Sequence, residues 1–241
     1  MRKLQLSIFE YAILIFVLSV VTIGIISFQI DPNWFVDVYV VEDGLIENLT
    51  VVALLTASFT ALIYRSKYAE GKSKWFKGIM VFVALATFFV AGEEISWGQR
   101  IFDVESPEFF QAHNAQQETN IHNMVVGGKK VNKIVFSQML YGSVGLYLSL
   151  FPYLYSRKKA VRKWVDRHGI PVPQWYQSLS CLILFVSILL ISHGKNAEIL
   201  EVGITYLFML ILLFPRNIHL FRPAFDEEPI HTESGKMLQQ S

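Results

Sequence analysis

Cysteine is almost absent from this chain. The one thiol, Cys181, lies inside an apolar run and reads as packing, so an intrachain disulfide and a two-cysteine metal site are both excluded. Charge is scarce as well: 17% of the 241 residues are charged, against about 25% in a typical soluble domain. A net charge of +1 gives no basic footprint for nucleic acid, and no nucleic-acid partner is expected. A glycine-rich phosphate loop, a Cys-x-x-Cys pair, a His-Glu-x-x-His helix and a Gly-x-Ser-x-Gly elbow are all missing. Nor is there an internal repeat or a stretch that reads as a separate soluble domain.

What the sequence does have is long apolar runs. Its hydrophobic fraction is 53% and its mean hydropathy +0.39, which indicates an all-α polytopic membrane protein. Six spans are expected, at roughly 8–30, 45–65, 78–97, 133–155, 177–193 and 199–215. Each is close to the ~20 residues a helix needs to cross the hydrocarbon. Helices are the only open-ended answer there, because lipid offers no partner to an unpaired backbone group. The first run has no small-x-small cleavage signal after it and reads as an uncleaved span. One transmembrane domain (1–222) is followed by a polar tail (223–241) that reads as disordered.

Lys and Arg set the orientation. Sixteen of the 21 fall on one side of the six-span layout, which predicts cytoplasmic N- and C-termini in a multi-pass inner (plasma) membrane protein. The loop RKKAVRKWVDRHGIPVPQW reads as a basic amphipathic helix on that cytoplasmic surface, in contact with anionic lipid. His168, His219 and His231 fall on the same side and read as bystanders. Carboxylates gather on the outer side instead, and the positive-inside rule does not account for them. On that side Trp34, Phe35 and Tyr39 suggest an interfacial segment.

The densest polar stretch is 92–123, GEEISWGQRIFDVESPEFFQAHNAQQETNIHN. If the third span stays helical through Ile101, then Glu93, Trp97 and Arg100 share a face, with Glu94 about 100° away. Two adjacent carboxylates at a span end are expensive unless they face a wet or polar interior. Such a pair tends to share a proton, which suits a general acid/base pair or two metal-ligating oxygens. The plainer reading is an ion pair with Arg100 that orients the outer loop. In that loop Ser106, Pro107 and Glu108 form a helix-start signal. One or two short interfacial helices are therefore expected within 103–130, ending at Gly127 and Gly128. The loop either re-enters the bilayer or caps it. Asn114, Glu118 and His122 at i, i+4, i+8 would form one polar stripe, bordered by His113 and Asn123. The same Asn and Gln residues also suit capping and loop hydrogen bonds.

Further along, His193 ends the fifth span, Glu198 and Glu201 open the sixth, and Glu47 opens the second. Singly, each reads as an interfacial residue at a helix start, where the dipole favours carboxylates. Together they bring acids and a histidine to one membrane depth. The candidate catalytic residues are thus Glu93, Glu94 and His122. Candidate substrate-binding residues are Trp97, Arg100, Asn114, Glu118, Asn123 and Glu47. His122, His193, Glu94, Glu198 and Glu201 are candidate ligands for a divalent metal such as zinc, which would generate the nucleophile from bound water.

The GEExSWGQR stretch at 92–100 and the NxQxETNxHN stretch at 114–123 resemble those of a group of uncharacterised bacterial polytopic membrane proteins, over about 30 residues. The resemblance carries no activity. A fainter likeness is to alkaline ceramidase-like membrane hydrolases, which hold zinc with three histidines. His113, His122 and His193 would be the counterparts here, but six spans and no His-x-x-x-His depart from that pattern. The expectation is an integral membrane enzyme that hydrolyses a lipid or lipid-linked substrate, or transfers a group on it, at an extracytoplasmic carboxylate/histidine site. The alternatives are a cation- or proton-coupled binding or transport protein, and a structural subunit that docks a partner through 103–130. Neither substrate nor oligomeric state is specified.

Overall fold

The computed structural model describes residues 6–121, 123–126, 129–130 and 140–221. Those residues form an all-helical bundle, and the only strand pairing among them is a two-residue antiparallel ladder, β1 (Val125–Val126) with β2 (Lys129–Lys130). The expected end of the loop helices at Gly127 and Gly128, and the tail 223–241, lie outside the described residues.

Among the described residues four helices are long and apolar enough to cross a membrane: α1 (Ile8–Ile30), α3 (Leu45–Lys67), α4 (Lys74–Glu94) and α10 (Asn196–Leu213). α1 starts at a capping box. Ser7 Oγ accepts the Glu10 N–H at 3.2 Å, and Glu10 Oε2 accepts the Ser7 N–H at 2.7 Å. The helix is apolar all round, as a lipid-facing span should be. It ends at Asp31, whose carboxylate accepts from Asn33 and Trp34 and so starts the short turn α2 (Pro32–Trp34). A π-helical turn, Phe35–Tyr39, follows. There the Tyr39 hydroxyl donates to the Val20 carbonyl at 2.8 Å, and burial pushes its phenol up to about 12.

α3 packs against both α4 and α10, and α10 also packs against α1 and α9 (Trp175–Ile188). The short link between α3 and α4 makes them antiparallel, so the start of α3 and the end of α4 lie at the same end. Small residues of α3, Ala53, Ala57 and Ala61, are fully buried at these seams. Below them the α3–α4–α10 interface is apolar, built from Tyr64, Met80, Ala84 and Leu212. The polar groups there are satisfied locally: Ser58 Oγ donates to the Ala84 carbonyl and Thr87 Oγ1 to the Val83 carbonyl, both at 2.8 Å.

Two expected spans differ from the helices observed. Within 133–155, the described part is broken into α6 (Leu140–Leu148) and α7 (Leu150–Arg157). Pro152 explains the break: it has no N–H for the Leu148 carbonyl, and its ring clashes with that carbonyl. The fifth apolar helix, α9, starts two residues before the expected 177 and is only 14 residues long. Its apolar run continues to Ile191 through tightened i→i+3 turns at 3.1–3.3 Å. The basic loop forms the helix α8 (Lys159–His168), which buries Val165 against Tyr155 and Val172.

Candidate functional site

The helix α4 stops where the carboxylates begin. Ile95 is its C-cap, and Ser96, Trp97 and Gly98 all take positive φ, at 47°, 56° and 77°. Helix through Ile101 was the expectation; instead the left-handed run reverses the chain. Glu93, Trp97 and Arg100 therefore do not share a helix face. Trp97 folds back onto α4, with its ring lying over Gly92. A Cβ at Gly92 would stand 2.8 Å from two ring carbons, so only glycine admits the ring. Trp97 Nε1 donates to Glu93 Oε1 at 2.8 Å, and its ring meets Phe89 edge-on at 5.4 Å.

The loop after the reversal is a hydrogen-bonded knot rather than a helical stripe. α5 spans Glu108–His113, with Pro107 at its N-cap position. Ser106, expected as the cap, donates to Gln99 Oε1 at 3.0 Å and meets Thr119 Oγ1 at 3.1 Å. The helix stops before Asn114, which pairs with Met124 in an isolated β-bridge, so Asn114 and Glu118 are not helical neighbours. Competing side-chain bonds explain the stop. Asn114 Oδ1 accepts the N–H of Gln116 at 2.8 Å and that of Glu118 at 3.2 Å. Asn114 Nδ2 donates to the Asn120 side chain at 2.8 Å. Asn120 Nδ2 in turn donates to Ser96 Oγ at 2.8 Å and to Glu118 Oε2 at 2.9 Å. Ser96 Oγ donates to Glu118 Oε2 at 2.6 Å. Asn114, Glu118 and Asn120 are all buried. Asn123 closes the knot, its N–H donating to Asn120 Oδ1 at 3.0 Å and its amide to Gln116.

Arg100 is the strut between this knot and the next element. Its guanidinium forms ion pairs with both Asp43 and the buried Glu118. It was expected to meet substrate; here those two carboxylates hold it. The loop is also fastened to α4, because the Ile121 N–H donates to Glu93 Oε2 at 2.5 Å. Both oxygens of Glu93 thus accept hydrogen bonds.

Above the helix ends lies a cavity of about 200 Å³, lined by Glu42, Asp43, Glu47, Glu93, Glu94, Arg100, Gln116, Glu118, Asn123, Lys195 and Glu198. Seven of the eleven lining residues are acidic and two are basic, so the cavity favours cationic or proton-donating groups. Glu201 sits one turn further down α10, within Coulombic reach of Glu94, Glu198 and Glu47. Glu47 and Glu198 occupy first turns of α3 and α10, where the helix dipole favours a carboxylate. Glu47 Oε2 also accepts the Asp43 N–H at 2.5 Å. Glu94 lacks both kinds of support. It stands at the C-terminal, unfavourable end of α4, and among the described residues no donor reaches its carboxylate.

Glu47, Glu93, Glu94, Glu118, Asn123, Arg100 and Glu198 thus border one cavity, with Glu201 just beneath it. Trp97 and Asn114 support its wall. Neither described candidate histidine, His113 or His193, lines the cavity. His122 lies outside the described residues. His113 stacks on Phe109 at 4.8 Å and turns its Nδ1 to the Phe109 carbonyl. His193 Nδ1 accepts the Lys195 N–H at 3.1 Å and closes the turn into α10. Among the described residues no three His, Cys, Asp or Glu side chains are placed to hold one metal ion. Of the expected ligand set His122, His193, Glu94, Glu198 and Glu201, His122 lies outside the described residues, and the His193 ring faces the backbone of its own turn.

Glu42, Lys195 and Ser96 were not foreseen. Lys195 was legible as one of few cations on an acidic side; here its Nζ donates to the Val40 carbonyl at 3.2 Å. Ser96 and Glu42 carried no distinguishing spacing. No family model, curated protein or solved structure matches this chain.

Proposed function

We propose that this protein is an integral membrane enzyme that uses carboxylates to hydrolyse a lipid or lipid-linked substrate, or to transfer a group on it. The observation that carries the proposal is the cavity's pairing of two surfaces. Its interior is carboxylate-rich, while the loop beside Arg100 exposes Ile101, Phe102, Val104 and Phe109. An apolar rim beside a polar pocket suits a substrate with a polar head and an apolar tail.

Glu94 is the general base. It takes the proton from water or an acceptor hydroxyl as that oxygen attacks the headgroup bond. Glu198, on the facing helix, returns a proton to the departing oxygen. Lys195 keeps N–H donors beyond its bond to Val40 and stabilises negative charge as it develops. Glu93 positions the loop through Trp97 and Ile121 and is not the base. The six-span arrangement with cytoplasmic termini puts this pocket on the extracytoplasmic side. In it, α6 and α7 form part of the fourth span, α9 is the fifth, and the exposed apolar loop rests in the outer interface.

Two observations weigh against the rival readings. Beneath the carboxylates, the packed core of Tyr64, Met80, Ala84 and Leu212 offers, among the described residues, no charged relay to the other end, as transport would need. The Asn114 and Glu118 side chains are buried inward, whereas a docking stripe would present them to a partner. The excess of acids over bases does favour one second reading, a dead-end site that binds a cation or proton.

The test is to hold purified protein in nanodiscs of bacterial lipid extract and follow lipid composition by mass spectrometry. One lipid class should be consumed, at a rate that falls at least a hundredfold in Glu94→Gln, in line with the ~10²–10⁴ of general acid–base catalysis. If no class is consumed, or Glu94→Gln turns over at the wild-type rate, the enzyme reading is wrong. Cation titration by calorimetry would then decide the binding reading.

A further inference from the structure

The opposite end of the bundle carries a different kind of site. α7 ends at Arg157, and α10 ends at Leu213, three residues before Arg216. Between them, two guanidinium groups converge on one serine. Arg162 of α8 donates from its Nη2 to the Ser156 carbonyl at 3.2 Å, and from Nε to the Tyr155 carbonyl at 3.3 Å. Arg216 donates from Nη1 to Ser156 Oγ at 2.5 Å. Both lie by the Tyr155 ring, at 5.5 and 5.9 Å from its centroid.

Two positive groups beside one ring and one serine give a local field that favours an anion. Among the described residues no carboxylate is ion-paired with either. The nearby acid is Asp166, and it is engaged elsewhere: its Oδ1 accepts from the Tyr155 hydroxyl at 2.9 Å and from Asn217 Nδ2 at 3.3 Å. The frame beneath is fixed. The Arg216 N–H donates to the Val172 carbonyl at 2.7 Å. Buried Asn217 accepts the Val172 N–H at 3.0 Å and donates to the Ile170 carbonyl at 3.0 Å. The arginines are therefore aimed by the fold, and each keeps N–H donors for a further acceptor.

The surroundings fit a membrane surface. Trp75, Trp164 and Trp175 are all more than half exposed, as interfacial tryptophans are. Trp75 and Trp164 both pack on His168, at 5.4 and 4.4 Å. Lys159, Lys163 and Arg167 add exposed charge along α8. We propose that Arg162 and Arg216 form a binding site for the phosphate of an anionic phospholipid headgroup, with α8 lying in the interface beside it; Ser156, whose hydroxyl donates to the Pro152 carbonyl at 2.6 Å, anchors the two arginines. The occupant is a lipid rather than a free anion because the site sits at the ends of apolar helices and is flanked by exposed tryptophan.

The experiment uses the full chain in detergent, titrated with phosphatidylglycerol or phosphatidylcholine, with bound lipid counted by native mass spectrometry. Wild type should retain one phosphatidylglycerol in preference to phosphatidylcholine. Losing the charge-assisted bonds of both arginines should weaken retention at least tenfold in Arg162→Gln/Arg216→Gln. Lys159→Gln/Lys163→Gln, on the same helix, should stay within about twofold, because those side chains do not reach Ser156. Should the double Gln variant fail to fold, Arg162→Lys/Arg216→Lys keeps the charge and removes the fork, and a clear loss is still expected. Equal weakening by the Lys159/Lys163 pair would overturn the site in favour of diffuse surface charge. So would full retention in the Arg→Lys pair. Displacement of the lipid by millimolar inorganic phosphate would show a free-anion site instead.

Discussion

Gly92→Ala sets two physical effects of opposite sign against each other. In an unobstructed helix, replacing Gly by Ala stabilises by about 1 kcal/mol. At Gly92 the new Cβ would stand 2.8–2.9 Å from three carbons of the Trp97 ring. The ring is not free to slide, because Nε1 donates to Glu93 at 2.8 Å and its edge meets Phe89 at 5.4 Å. Forcing the methyl in costs about 1–3 kcal/mol of overpacking. Swinging the ring out instead gives up a hydrogen bond to a carboxylate, about 1.5–3 kcal/mol, and an aromatic pair, about 0.5–1.5 kcal/mol. After the propensity gain, a net loss of about 0–2 kcal/mol remains. Gly78, in the same helix, meets nothing within 4 Å, so Gly78→Ala should be stabilising by up to about 1 kcal/mol. The assay is thermal denaturation of both variants in one detergent, with tryptophan emission recorded for exposure of Trp97. Equal stabilisation by both substitutions would refute the packing of Trp97 on α4.

Arg100→Ala leaves buried Glu118 without its partly exposed cation and should cost about 1–3 kcal/mol, much of it recovered by adding Glu118→Gln. Asp43→Asn, at a half-exposed partner, should cost under about 1 kcal/mol on the same denaturation scale. Glu93→Gln weakens two charge-assisted bonds and should destabilise by about 1–3 kcal/mol, whereas Glu94→Gln should leave the melting midpoint unchanged or raised while activity is lost. For Tyr39, burial favours the neutral phenol, so its contribution is complete below pH ~10 and is lost as pH rises through about 12. Tyr39→Phe should therefore lower the midpoint at neutral pH and flatten its fall over that alkaline window.

Much of the architecture was legible because it rests on period and transfer free energy. Four of the expected spans correspond to helices long enough to cross, since twenty apolar residues have few other options. The break at Ser149 was also written in the sequence, as Pro152, but an apolar run hides it from a hydropathy reading. The course of the polar stretch was not legible. Periodicity put Asn114 and Glu118 on a helix, yet Asn114 binds the Gln116 and Glu118 N–H groups and so replaces the helical bonds those groups would make. The reversal at Ser96–Gly98 was equally hidden. Only Gly98 announces a left-handed backbone; Ser96 and Trp97 adopt it because Trp97 gains a partner in Glu93 and a seat on Gly92. The gathering of Glu47, Glu94 and Glu198 could be foreseen only as a shared depth, since which helices touch is decided by small residues such as Ala53 and Ala57.

The two adjacent glutamates illustrate how position alone can divide labour. Glu93 and Glu94 have the same chemistry and the same dipole penalty at the end of α4. One residue of offset turns Glu93 toward the loop, where Trp97 and Ile121 occupy both its oxygens. A carboxylate so engaged is committed to holding the loop in place. The same offset turns Glu94 into the cavity, facing Glu198 and Glu47, and among the described residues no donor reaches it. An acid at the wrong end of a helix and among other acids lowers stability wherever it has no task. That contrast with Glu93, which carries the structural role, is why Glu94 is the base in the proposed reaction.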